Sequence, residues 1–384
     1  MSSPWRTNVR PGVLRTALAA LCGAVVFAIG TAGALAGEGK SWPLFRGDTL
    51  ATGIAEGTLP EKLDVVWKFP TKEGGFEATA VIDGETVYVG SLDGNFYAID
   101  FQSGKERWRY HTELGFTAGA AVADGRVYVG DTDGKFYAFD AASGDVLWGF
   151  EATAEINSAP NFYKSMVLFG SQDATLYALD AVTGKQAWKF AIGDQIRCSP
   201  TVVDGRAMVA GCDGKLHVVQ LEEGKEIGSV EIDSPTGSTP AVLGDRLFFG
   251  TEGGTFFAID WRVPKTAWTA KVERGQSVRS SAAVIGELAI VGARDKRLHA
   301  FRVADGSEAW FFATRSRVDS SPVVVGERVF FGSGDGRLYA LERKTGEKKW
   351  SYEAGGQFTA SPAVAGGRLV IGNQDGTLYC FGEK

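Results

Sequence analysis

The side chains able to do chemistry are few and widely spread. The chain has three histidines (His111, His217, His299) and four cysteines (Cys22, Cys198, Cys212, Cys380) in 384 residues. No two cysteines are adjacent and no His/Cys set has metal-ligand spacing, so no zinc motif and no vicinal pair can be assembled. His217 and His299 stand where Tyr97, Tyr137, Tyr177, Tyr339 and Tyr379 stand in other copies of a repeat, which predicts packing positions rather than ligands. His111 falls alone after a strand, in a solvated loop. Asp100, Asp140, Asp180 and Asp260 also recur, and an acid/base catalyst would not be repeated through the chain; turn carboxylates accepting backbone N–H bonds are expected. Cys198 and Cys212 flank an Asp204-Gly205 turn, where either a cross-strand disulfide or two free thiols fits. Cys380 replaces the small Ala98, Ala138, Ala178 and Ala340 and should be buried and unpaired. One further set carries charge: Glu77, Thr117, Asn157, Arg197, Gly237, Arg279, Asp319 and Thr359 occupy equivalent positions at the start of successive repeats. Brought together they form a ring that either binds a small anionic or sugar-like ligand or a partner's side chain, or merely satisfies its own charges.

The elements that must position these residues come from that repeat. Short apolar runs end in glycine at 90, 130, 170, 250, 292, 332 and 372, with a fainter copy at Ala210, giving eight copies at a period of 40 residues with one step of 42. Each copy reads as four strands. The first is short and built from small triplets such as Cys198-Ser199-Pro200 and Ser320-Ser321-Pro322; the second is the apolar run; the third is Phe96-Tyr97-Ala98-Ile99-Asp100 and its equivalents. Asp-Gly pairs at 93-94, 133-134, 213-214, 335-336 and 375-376 lie between the second and third strands and predict type I′ hairpins. The fourth strand carries Trp108, Trp148, Trp188, Trp268, Trp310 or Trp350, with Gly228 in the fourth copy. The eighth copy lacks its fourth strand, and Val65-Val66-Trp67-Lys68-Phe69 supplies a matching one ahead of the first. The expectation is an all-β, eight-bladed propeller of four-stranded antiparallel blades, its last blade closed by the N-terminal strand.

Outside the repeat, a basic start, an apolar stretch over 17–29 and small residues ending at Ala34-Leu35-Ala36 read as a signal peptide over 1–36, cleaved before Gly37. An uncleaved anchor is the alternative, since residues 16–36 carry no charge and about 20 apolar residues span a bilayer. Gly30, Thr31 and Gly33 interrupt the stretch and favour cleavage, while Leu21 before Cys22 argues against lipidation. The expected organisation is a signal peptide over 1–36, a lead-in over 37–62 and the propeller over 63–384, periplasmic or secreted. Past the three leading arginines, 37 basic residues face 46 acidic ones, which argues against nucleic acid as a partner.

The run Ala98-x-Asp100-x-x-x-Gly104-Lys105-x-x-Trp108, repeated in full at Ala178 to Trp188, resembles the tryptophan-docking repeat of the quinoprotein-type (PQQ-like) propeller family. That family includes quinoprotein dehydrogenases and the BamB-type proteins of outer-membrane assembly. Trp42-Pro43-x-Phe45-Arg46-Gly47 is similar to the lead-in of many members, so the resemblance spans 42–384. It implies that Trp67, Trp108, Trp148, Trp188, Trp268, Trp310 and Trp350 pack between neighbouring blades. For function it implies a non-enzymatic, monomeric scaffold without cofactor, which docks on an envelope protein such as a β-barrel assembly component. The segment Gly193 to Arg197 is one contact candidate, and a membrane would be reached only through the partner or an uncleaved signal. The alternatives are a quinone- and calcium-dependent dehydrogenase-like protein, disfavoured because the family's adjacent-cysteine pair and extra loops are missing, and a carbohydrate or small-ligand binder.

Overall fold

The apolar runs and their neighbours assemble into eight four-stranded antiparallel blades, seven of them with their strands in sequence order from the centre outward. In the first blade these are Val81–Asp83, Thr86–Gly90, Asn95–Asp100 and Glu106–His111. The computed structural model describes Gly39 and residues 41–384, so the expected signal segment and Cys22 lie outside the described residues. The last blade is composite, as expected. Asp64–Pro70 pairs with Thr377–Gly382, placing Trp67 opposite Cys380, and so joins the start of the propeller to its end. Closure leaves no sheet of the ring without its outer strand. The only helical segment among the described residues is a 3₁₀ turn at Glu273–Gly275.

Burial follows position in the blade. Second and third strands are buried on both faces through their central residues, as in Thr86–Gly90 and Asn95–Asp100, whereas outer strands such as Glu106–His111 alternate exposed and half-buried residues. Every outer strand carries a register shift immediately before its tryptophan position, as between Val65 and Trp67 or Val146 and Trp148. Such a bulge re-aims the next side chain. Trp108 donates its indole N–H to Ala141 O (3.1 Å), Trp148 to Ala181 O (3.2 Å) and Trp188 to Leu221 O (2.9 Å), each on the following blade. Trp67, Trp268 and Trp310 do the same to Phe101, Val303 and Arg343. Each indole rests on the turn glycine of that blade. A Cβ on Gly144 (φ +79°) would stand 2.6 Å from Trp108. Where blade four has Gly228, blade five answers with Pro264 against it and with Trp261, buried under Arg206.

The glycine ending each second strand has a packing cause. A Cβ on Gly90 would meet Phe116 at 2.3 Å, and one on Gly130 would meet Ile156 at 2.2 Å, so each blade approaches its neighbour through an absent side chain. The copy ending in Ala210 faces the position occupied by the smaller Thr236.

Three local expectations need correction. The small triplets are not the inner strands, which begin just after them, at Thr201–Val203 or Val323–Val325. Proline lacks an N–H for the ladder, and the triplet N–H groups bond across blades instead. The Asp-Gly turns between second and third strands are not type I′. Gly94 has φ +83°, but Asp93 is not left-handed; its carboxylate accepts Asn95 N–H and Tyr97 O–H (3.0 and 2.7 Å), which suits a longer loop. Positive φ at both central residues occurs one hairpin earlier, at Asp124-Gly125 and Asp204-Gly205. His111 ends a strand rather than lying in a loop, and is exposed.

Candidate functional site

The propeller axis is lined by the first residues of each repeat. Glu77, Thr117, Asn157, Arg197, Gly237, Arg279, Asp319 and Thr359 surround one cavity of about 170 Å³. The hairpin residues Gln172, Glu252, Arg294 and Gln374, one turn farther out, reach in to them. Arg294 grips Asp319 with two bonds of 2.9 Å, and this pairing raises the arginine's pKa further. Arg317 Nε lies 2.9 Å from the same carboxylate as an ion pair, off the hydrogen-bond line. Arg279 pairs with Glu252 at 3.2 Å, Gln374 donates to Glu77 at 2.9 Å, and Asn157 donates to Thr117 at 2.9 Å. Arg197 differs from the other charges. Its Nε and Nη2 both go to Gln195 Oε1 in its own loop (3.0 and 2.6 Å), with no carboxylate partner among the described residues.

The lead-in closes the opposite end. Trp42 bridges Ile82 of blade one; Pro43 O then accepts Val122 N–H of blade two. Thr49 O accepts Val202 N–H, Leu50 O accepts Val242 N–H, Thr52 O accepts Val284 N–H and Gly53 O accepts Val324 N–H. Ile54–Ala55 continues as a parallel fifth strand on blade seven. One segment of about a dozen residues thus visits blades one to seven in turn. Phe45, from this strap, lines the axial cavity. Arg46 is fully buried and donates to Ala282 O and Pro322 O on blades six and seven; burial pushes its pKa down to about 9. The strap was not anticipated. Its hydrogen bonds are backbone bonds at long sequence separation, which no local pattern encodes.

The remaining chemical candidates settle into structural positions. His217 lies between Asp213 and Glu226, both at 2.9 Å, and His299 between Asp295 (2.9 Å) and Glu308 (2.6 Å). Burial opposes charge on His299, but the bonds to Asp295 and Glu308 outweigh it and leave the pKa raised. Asp100, Asp140, Asp180 and Asp260 accept backbone N–H groups two or three residues on. Cys198 and Cys212 stand as free cysteines in this structure, the first buried and the second half-buried. Extending the ladder places Cys198 opposite Gly211, one residue short of Cys212, and the Cys198 thiol donates to Ala210 O at 3.2 Å. Ser158, Ser238, Ser280 and Ser320 hold Gly170, Gly250, Gly292 and Gly332 from the equivalent position. Cys380 is buried and free, its thiol pushed up to about 12 by burial.

A closed ring of eight blades pinned by bulge-aimed tryptophans defines a quinoprotein-type β-propeller. The sequence profile of the family described as outer membrane protein assembly factor BamB matches residues 60–115, 111–311 and 172–384. The chain belongs to that family. Among solved structures it is similar to BamB from Moraxella catarrhalis (19% identity, 84% of this chain and 98% of that one, TM-score 0.72). It is also similar to quinohemoprotein alcohol dehydrogenase from Comamonas testosteroni (18% identity, 91% and 82%, TM-score 0.78) and to the computationally designed Ika8 protein (18% identity, 83% and 99%, TM-score 0.74). Comparison with curated proteins gives no match. At these identities the structural likeness shows the fold.

The dehydrogenase branch of the fold implies a quinone with calcium, and the residues here do not fit that pair. The axial cavity of about 170 Å³ is smaller than the roughly 300 Å³ at which cofactor-sized pockets begin. Of the ring's two carboxylates, Asp319 is taken by arginines and Glu77 by Gln374. Among the described residues no group of three or more His, Cys, Asp or Glu is placed to hold a metal.

Proposed function

We propose that this protein is a non-enzymatic scaffold of the cell envelope that docks a protein partner on the mouth face of the propeller, in the manner its BamB family membership suggests. The family match over residues 60–384 carries this reading. The surface supports it. The mouth is held rigid by the pairs Arg294–Asp319, Arg279–Glu252 and Gln374–Glu77, and beside it Leu92 and Leu114 are 40% and 47% exposed. Gly115 packs against the Leu92 backbone, which brings those two leucines' loops together. An apolar pair rimmed by fixed charges is the composition expected of a docking patch. The expected export to the periplasm suits such a role.

In-cell photo-cross-linking tests it. A cross-linker placed at Leu92, Leu114 or Arg197 should capture an outer-membrane β-barrel assembly component. The same group at Val182 or Val263, exposed on turns at the other end of the strands, should not. Capture from the far turns alone, or recovery of the uncross-linked protein from all five positions, would sink the reading.

A further inference from the structure

Below the charged ring, the next column of the repeat also lines the axial cavity: Thr79, Gly119, Ala159, Ser199, Thr239, Ser281, Ser321 and Ser361. Six of these bear hydroxyls, and they form a belt. Ala159 N–H donates to Ser199 Oγ (3.0 Å), Ser199 N–H to Thr239 Oγ1 (3.0 Å) and Thr239 N–H to Ser281 Oγ (2.9 Å). Ser281 N–H donates to Ser321 Oγ (2.9 Å), Ser321 N–H to Ser361 Oγ (2.9 Å) and Ser361 N–H to Thr79 Oγ1 (3.2 Å). Each bond joins one blade to the next.

The direction of these bonds decides what the belt can recognise. A hydroxyl oxygen that accepts an N–H keeps its own proton to donate and is polarised to donate it more strongly. None of the six hydroxyls donates to a protein group among the described residues, and all six residues are buried against the cavity. Thr359, lining the same cavity, has a buried hydroxyl with no partner. Each belt hydroxyl therefore has a proton free to donate into the cavity beside its one remaining lone pair, and the neighbouring N–H bond biases it toward donating. Cationic charge stands above it. Arg197 and Arg279 flank Gly237, where an added Cβ would meet only Arg197 Cβ, at 3.6 Å, so the space between the two arginines is open. The ring's own carboxylates are turned to other partners, Asp319 to Arg294 and Glu77 to Gln374. Phe45 closes the strap end. A cavity of about 170 Å³ has room for a group several water molecules in size, at about 30 Å³ each.

We propose that the axial cavity is a binding site for a small oxyanion, a phosphate- or carboxylate-type group, held by the hydroxyl belt below and by Arg197 and Arg279 above. The site stands independently of the scaffold reading, because it rests on the channel wall and not on any partner. In a chain with net charge −6, it is a local reversal built from neutral donors and two arginines, of which Arg279 shares its charge with Glu252 at 3.2 Å and Arg197 has no carboxylate partner among the described residues. The source of the oxyanion is either a free ion or the terminal carboxylate of a partner chain.

Calorimetric titration of the protein with inorganic phosphate, and separately with acetate, tests this. Saturable one-to-one binding of at least one is expected, weakened tenfold or more in Arg197→Gln/Arg279→Gln, whose two side chains lie at the open mouth and can change without unfolding the ring. Thr359→Val, which removes the unpartnered hydroxyl and no belt acceptor, should weaken it several-fold. Glucose, a polyol with donors of its own, should give no saturable heat. A short peptide with a free carboxyl terminus that competes with the anion, where its amide does not, would assign the site to a partner's terminus; no competition would assign it to the free ion. Absence of saturable binding with both anions, equal affinity in the double variant, or glucose binding as tightly as the anions would overturn the proposal.

Discussion

Trp67→Ala isolates the ring closure. Trp67 lies on the strand that completes blade eight, is 8% exposed, and crosses to blade one, where its N–H meets Phe101 O at 2.9 Å and its ring rests on Gly104. Truncating a buried tryptophan costs about 3–5 kcal/mol. Phe101 O also accepts Arg368 Nη1 at 2.8 Å, so the acceptor is not orphaned and only about 1 kcal/mol of that loss belongs to the hydrogen bond. Trp67→Phe should therefore cost about 1–2 kcal/mol, and Trp67→Ala the full amount. Trp350 is the internal control. It faces blade eight, and among the described residues it has no turn glycine beneath its ring and no indole hydrogen bond; it packs edge-on against Phe381, ring centres 5.8 Å apart. Trp350→Ala should cost at least about 1 kcal/mol less than Trp67→Ala. Guanidinium unfolding followed by circular dichroism measures all three. A Trp350→Ala loss equal to or larger than that of Trp67→Ala would refute the account of docking as indole on glycine plus N–H on carbonyl.

Ala174 and Lys296 sit at φ +67° and +70° where equivalent turns hold glycine; the left-handed conformation costs a side-chain-bearing residue roughly 1–2 kcal/mol. Replacing either by glycine should stabilise the fold by about 0.5–1 kcal/mol after glycine's entropic cost, read as a higher denaturation midpoint. His299 is held above its ordinary value of 6.5 by Asp295 and Glu308 against the pull of burial. Its stabilising contribution is complete below about 6.5 and is lost as pH rises through the higher folded value. The melting temperature should fall over that range in the native protein and fall less in His299→Tyr, and parallel pH curves would contradict this. Native alkylation followed by mass spectrometry should modify the half-buried Cys212 and spare Cys198 and Cys380, both buried with thiols pushed up to about 12 by burial.

The ring, its eight blades and the composite last blade were legible because a propeller repeats one supersecondary unit, so the same apolar run, turn and tryptophan return every 40 residues. The mouth residues were legible for the same reason, since equivalence in the repeat becomes equivalence about the axis. The hydroxyl column at Ser199, Thr239, Ser321 and Ser361 stood in plain view inside the small triplets; read as inner strands, its role as a belt between blades was missed.

Sequence periodicity by itself determined the all-β architecture, the closure and the set of side chains that face one axis. Tertiary structure decided which of those side chains neutralise one another, that the lead-in runs along the inner strands of seven blades, and that the belt hydroxyls accept from the backbone and keep their protons for the cavity. The physical reason is that a hydrogen bond's direction, and a charge's choice of partner, depend on distances between blades set by the packing of the whole ring. A repeat specifies which residues are equivalent and leaves open what each one meets.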